Sequence, residues 1–186
     1  AGTVYSIAYA ASGGQQAGEV YTDGFPRAAL WTGTAASWVN LNPAPQFYSS
    51  AFAVHAGQQV GATYLGSPNA ALWSGTAASW VNLNPPPTGG YEHTSEAFAV
   101  HGGKQVGYVV DVGNIAAAIW SGTAASWVNI HPPGNISSWA YGVEGNTQVG
   151  VVRVPDTTSH AALWKGTAAS WVDLHPLNAT NSREVM

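Results

Sequence analysis

Apolar positions in this chain fall in short runs broken by Gly, Pro, Asn and Ser, a pattern that suits strands and tight turns. The runs are rich in Val, Trp, Phe and Tyr, the residues that pack well on a pleated surface. One stretch organises them. ALWSGTAASWVNLNP (Ala71–Pro85) recurs at Ala29–Pro43, Ala118–Pro132 and Ala162–Pro176, with 10 of its 15 positions identical in every copy. It reads as a hairpin. Ala-Leu-Trp and Ser-Trp-Val-Asn-Leu are the strands, and Gly-Thr-Ala-Ala is the turn between them. The turn glycine (Gly33, Gly75, Gly122, Gly166) is expected at positive φ, and proline, lacking an N–H for the ladder, stops the second strand.

A second hairpin precedes each of these, at Ser6–Gly18, Ser50–Gly61, Glu96–Gly107 and Trp139–Gly150. Each unit thus holds four strands, A to D. The marker residues Trp31, Trp73, Trp120 and Trp164 are 42, 47 and 44 residues apart. Four strands in a unit of that length is the signature of a propeller blade. The expected fold is all-β, a β-propeller of four four-stranded antiparallel blades at about 3–45, 46–88, 89–135 and 136–178, followed by the tail Ala179–Met186. Alternation along strand A predicts a small face (Ser49, Ala51, Ala53 and equivalents) and a larger one (Phe52, Val54 and equivalents), each packed on a neighbouring blade. Four complete units predict a ring closed within one chain. The alternative is an open half-ring that pairs into eight blades.

Eight of the nine Trp residues lie in the two columns of the repeated hairpin. Identical repetition suits core between blades, where Trp buries much area, better than a set of sugar-stacking platforms. Composition narrows the classes further. Charged residues make up only 8% of the 186, with five Lys+Arg and a net charge of −4, so no basic surface is available for phosphates and nucleic acid is not an expected partner. No apolar run reaches the length of a membrane span. There is no Cys for disulfide or thiol chemistry. The first residues show no export-signal pattern, which is expected to be absent or already removed. The sequons at Asn135 and Asn178 are expected by chance in a chain so rich in Asn, Ser and Thr.

Two elements together, Ala-Phe-Ala-Val…Gly-Gln-Gln-Val-Gly (Ala51–Gly61) and His-Ala-Ala-Leu-Trp (His160–Trp164), resemble the HAF-type extracellular repeat, a bacterial repeat family. The resemblance spans all four units. It departs at the His, which Arg27, Asn69 and Ala116 replace in the other copies. It implies a propeller-like array and an extracellular or periplasmic setting, and it brings no catalytic residues.

In a propeller the B–C and D–A loops share one face. Here these loops diverge (TDGFPR, LGSPN, DVGNIA, VPDTTSH; NPAPQFYS, NPPPTGGYEHTS, HPPGNIS) while Gly-Thr-Ala-Ala on the other face never changes. Divergent loops on a rigid scaffold are where specificity usually lives, although unconstrained drift gives the same picture. At the start of strand A, Ile7, Ser50, Glu96 and Trp139 are equivalent yet unlike, and Trp139 is the one Trp outside the repeated columns. It is either a stacking platform or a channel plug. The candidate ligand-binding residues are Trp139 and Glu96 near the axis, with Tyr91, His93, Arg153, Asp156 and His160 in the loops. At the opposite tip, Ser12, His55, His101 and Glu144 form a column with three metal-ligating residues at most, and no metal is expected. No nucleophile elbow, P-loop, dinucleotide fingerprint or His-Glu-x-x-His occurs.

These features favour non-enzymatic binding of a glycan or a protein on the divergent face, by a monomer without cofactor or catalytic residues. The alternatives are a glycoside hydrolase or lyase using loop carboxylates, and a purely structural array.

Overall fold

The computed structural model describes residues 5–176, so Asn178 and the tail Ala179–Met186 lie outside the described residues. The chain is all-β and builds four antiparallel sheets, each with its strands in chain order. Blade 1 comprises β1 (Ser6–Ser12), β2 (Gln15–Thr22), β3 (Phe25–Trp31) and β4 (Val39–Asn40). Blade 2 comprises β5 (Tyr48–His55), β6 (Gln58–Tyr64), β7 (Pro68–Trp73) and β8 (Val81–Asn82). In blade 3 the strands are β9 (Thr94–His101), β10 (Lys104–Asp111), β11 (Asn114–Trp120) and β12 (Val128–Asn129). Blade 4 has β13 (Ser137–Glu144), β14 (Thr147–Arg153), β15 (Ser159–Trp164) and β16 (Val172–Asp173). The expected blades are therefore present.

The outermost strand is shorter than expected, only Val-Asn, or Val-Asp in blade 4. The residues before it close into a 3-10 turn (Ala77–Ser79 in blade 2), held by Ser79 Oγ, which accepts from Ser74 N at 2.8 Å and donates to Thr76 O at 2.6 Å. The turn glycines Gly33, Gly75, Gly122 and Gly166 do lie at positive φ, between 81° and 86°.

Strand A departs from simple alternation. Its register against strand B skips one residue between Ala8 and Ala10, between Ala51 and Ala53, and between Ala140 and Gly142, with the corresponding shift in blade 3. The extra residue of this β-bulge is Tyr9, Phe52, Phe98 or Tyr141. The bulge sends that aromatic ring to the inner edge. There the four rings form a row with centroids 6.0, 5.9 and 5.4 Å apart. Consequently Ala51 and Val54 face blade 1 together, while Ala53 faces blade 3. The expected division into a small and a large face fails for that reason.

Each joint between blades repeats one recipe. Leu41, Ala28 and Leu30 of blade 1 pack on Ala51, Val54, Ala71 and Trp73 of blade 2, and equivalent residues fill the next two joints. Trp73, Trp120 and Trp164 are fully buried, and Trp80, Trp127 and Trp171 of the second column line the joints partly buried, whereas Trp38 is exposed. A hydroxyl stitches each joint as well. Ser49 Oγ accepts from Ala28 N (3.0 Å) and donates to Asn42 Oδ1 (2.7 Å), and Ser95 repeats this with Ala70 N (3.0 Å) and Asn84 Oδ1 (2.6 Å).

In the third joint His131 stands where Asn42 and Asn84 stand. Its Nδ1 is 2.9 Å from Ser138 Oγ, and its Nε2 donates to Asn135 O at 3.2 Å. That pair of bonds uses a neutral imidazole, with Ser138 donating to Nδ1. Burial holds the His131 pKa below its usual value, partly opposed by the bond to the Asn135 carbonyl. A depressed folded-state pKa means the unfolded chain binds the extra proton first, so this contribution is complete above about pH 6.5 and is lost as pH falls below it. His131→Asn should leave neutral-pH stability unchanged and remove about 0.5 kcal/mol of acid sensitivity, a modest figure because the ring is half exposed to solvent. Urea melts of both proteins at pH 7.5 and 5.5 test this; equal acid losses would contradict it.

Among the described residues the expected closure within one chain is not seen. Inner strands pack in succession, β1 on β5, β5 on β9 and β9 on β13, and among the described residues no comparable packing joins β13 to β1. Leu174 of blade 4 and Ala8 of blade 1, whose equivalents at the internal joints are buried, stay exposed, so the two end faces do not cover each other.

Candidate binding face

Pairing places the starts of the A strands beside the ends of the B strands, as in Tyr48 opposite Tyr64 and Ser137 opposite Arg153, so the divergent loops share one face. What they display is mainly apolar: Phe25, Phe47, Leu65, Tyr91, Val112 and Ile136 are all exposed there. The rings are organised over blades 1 and 2. Phe25 lies nearly parallel to Tyr48 (4°, centroids 6.3 Å apart), and Tyr48 stacks on Tyr64 at 4.5 Å. Arg27 sits over Phe25, 5.9 Å from its centroid, and Nη1 donates to Phe47 O at 2.6 Å, which pins the D–A loop.

Carboxylates accept from side-chain hydroxyls at two joints, and at one of them the hydroxyl belongs to the ladder. Tyr64 OH donates to Glu96 Oε1 at 2.7 Å across the blade 2–3 joint. Burial raises the Glu96 pKa, and the Tyr64 bond opposes the rise only in part. Burial and the neighbouring carboxylate push Tyr108 up to about 12 and Tyr64 further. At the previous joint Glu19, itself buried, accepts from Tyr5 OH (2.8 Å) and Ser50 Oγ (2.5 Å). The chemistry offered is ring faces next to carboxyl and phenol groups, with little net charge.

The seven residues singled out from the sequence do not form one cluster. Glu96 and Trp139 hold equivalent positions on adjacent inner strands, and both are half-buried. Tyr91 is exposed at the tip of the blade 2–3 loop. His93 is buried: its Nε2 is 3.1 Å from Asp111 Oδ1, its Nδ1 is 3.4 Å from Pro85 O, and its ring packs near Trp127. It straps that loop to the blade. Arg153, Asp156 and His160 gather on blade 4. There Arg153 Nε donates to Thr157 O (3.3 Å), while Asp156 Oδ1 accepts from Thr158 Oγ1 (2.6 Å) and Thr158 N (3.0 Å). Those Thr158 bonds hold Asp156 below the usual carboxylate range. His160 Nδ1 donates to Asp173 Oδ2 at 2.8 Å, with its ring stacked on His175 at 4.1 Å.

Phe25, Phe47, Tyr48 and Tyr64 were not singled out from sequence, although an aromatic in a Gly- and Pro-rich loop was a usable signal. At the opposite tip the His55 and His101 rings lie 4.3 Å apart, and among the described residues no group of three or more His, Cys, Asp or Glu is placed to hold a metal ion. No helix among the described residues is long and apolar enough to cross a membrane. No family model matches the chain, and a search of curated proteins finds no match to it.

Proposed function

We propose that this protein is a binding module, with a neutral glycan as its ligand on the divergent loop face. One observation carries the reading: aromatic and apolar side chains stand exposed at the loops of that face, beside phenol and carboxyl groups, on a scaffold with few charges. Sugars present C–H faces that stack on rings and hydroxyls that need hydrogen-bond partners, and this face supplies both. The resemblance to HAF-type extracellular repeats fits a ligand met outside the cytoplasm. Glycan-array screening followed by calorimetry is the test. Phe47→Ala, at an exposed ring, should weaken the glycan found by about 2 kcal/mol, as for an interface anchor, while stability changes by less than about 0.5 kcal/mol. Trp139→Ala, measured in parallel, tells whether the ligand also reaches blade 4. An array without any glycan signal, or full affinity in both variants, would defeat the proposal.

A further inference from the structure

The repeat makes the two ends of the array informative. Every face that blades 1 to 3 present forward is buried by the next blade, and blade 4 presents the same face to solvent. Leu41, Leu83 and Ile130 are 0% exposed, whereas Leu174, their equivalent, is 48% exposed. Val60 and Val106 are 0% exposed, whereas Val149 is 45% exposed. Ala28, Ala70 and Ala117 are buried, and Ala161 is exposed. A depression of about 580 Å³ lies on this face, lined by Gly142, Val143, Glu144, Thr147 and Val149.

The backward face of blade 1 is the counterpart. Ala51, Ala97 and Ala140 are fully buried against the preceding blade, while Ala8 is exposed. Trp73, Trp120 and Trp164 are fully buried, while Trp31 is partly uncovered and edges hollows of about 240 and 200 Å³. The polar stitch is also split. Ser6 holds the position of Ser49, Ser95 and Ser138. Ala161 N holds that of the amides those hydroxyls accept from, and His175 that of Asn42, Asn84 and His131.

We propose that the forward face of blade 4 and the backward face of blade 1 are the two halves of a further joint, filled by a second copy of this chain. The three internal joints already prove that these two kinds of face fit each other, in packing and in hydrogen bonding, and a second copy presents both. The contact is head-to-tail, so it must close into a ring or grow without limit. Propellers close with roughly four to eight blades. Among the described residues four do not close, and whole copies add four at a time, so two copies form one eight-bladed ring with two such joints. The inner row of Tyr9, Phe52, Phe98 and Tyr141 then continues around the axis, covering the Tyr9 and Tyr141 rings that now stand exposed.

Light scattering of the 186-residue chain across the micromolar range tests this. The expected species has about 38 kDa, twice 19.2 kDa. Ala8→Glu and Val149→Glu each place a charge at one half of the joint, at side chains exposed in the lone chain, so each should give folded protein of monomer mass. Near-ultraviolet circular dichroism confirms the fold. Wild-type protein that stays monomeric at about 100 µM overturns the proposal and leaves these faces to a different partner. A ladder of masses beyond the dimer overturns the ring. A dimer that survives either substitution overturns the head-to-tail joint, since a symmetric contact would need only one of the two faces.

Discussion

Trp120→Ala should cost about 3–5 kcal/mol, and in a chain of this size it should bring global unfolding within reach of ordinary temperatures. Trp120 has no exposed surface and sits between blades 2 and 3, against Leu72, Leu83 and Val100. Both neighbouring blades are pinned by their other joints, so they cannot collapse into the space left behind. The repeat supplies internal controls. Trp31 is the same residue in the same hairpin, but its face is uncovered, so Trp31→Ala in the monomeric Ala8→Glu background should cost clearly less. Trp120→Phe should also be mild. It keeps most of the apolar contact and removes an indole N–H for which no acceptor is present among the described residues. Chemical denaturation of the three variants measures the order. Equal losses at Trp31 and Trp120 would mean that the blade 1 face is as covered as an internal joint.

The sequence made the blade legible because local chemistry repeats with it. Four strands per unit, the positive-φ turn glycines and the first Trp column, buried at Trp73, Trp120 and Trp164, are all written within a few residues of each other. Features that need a partner elsewhere were less legible. Whether Leu41 and Leu174 are equally buried is invisible locally, since both precede Asn-Pro or His-Pro in the same hairpin, and only the presence of a following blade separates them. His93 is held by Asp111, which the end of strand β10 delivers. The aromatic ladder depends on Tyr48 and Tyr64 pairing across a hairpin and on Phe25 approaching from a different blade. The failure at strand A is of another kind. Period-two reading assumes an unbroken ladder, and a bulge inserts one residue without any local mark on its own strand.

The mark lies across the ladder. Gly18, Gly61, Gly107 and Gly150 are opposite the bulges, and each could be taken for an ordinary strand glycine from its neighbours. A Cβ on Gly107 would lie 1.9 Å from the Glu96 carbonyl oxygen and 2.9 Å from Ala97 Cα, contacts that no rotamer change can relieve because both partners are backbone. The bulged strand folds down onto this glycine, which is how the Phe98 ring reaches the inner edge. Gly107→Ala must therefore lift strand β9 off β10 or flatten the bulge. Either movement disturbs Ala97 and Val100 in one joint and Ala99 in the next. A loss on the order of 3 kcal/mol is expected, at the upper end of overpacking, even though the change adds only one methyl group. Ser121→Ala, on the exposed turn of the same blade, should shift stability by less than about 0.5 kcal/mol. Denaturant melts compare the two directly, and the row of inner aromatics gives a second readout. If Gly107→Ala flattens the bulge, Phe98 leaves that row and the near-ultraviolet signal of the surviving folded protein changes. A variant as stable as wild type, with that signal intact, would show that the strand tolerates a side chain where the backbone now touches.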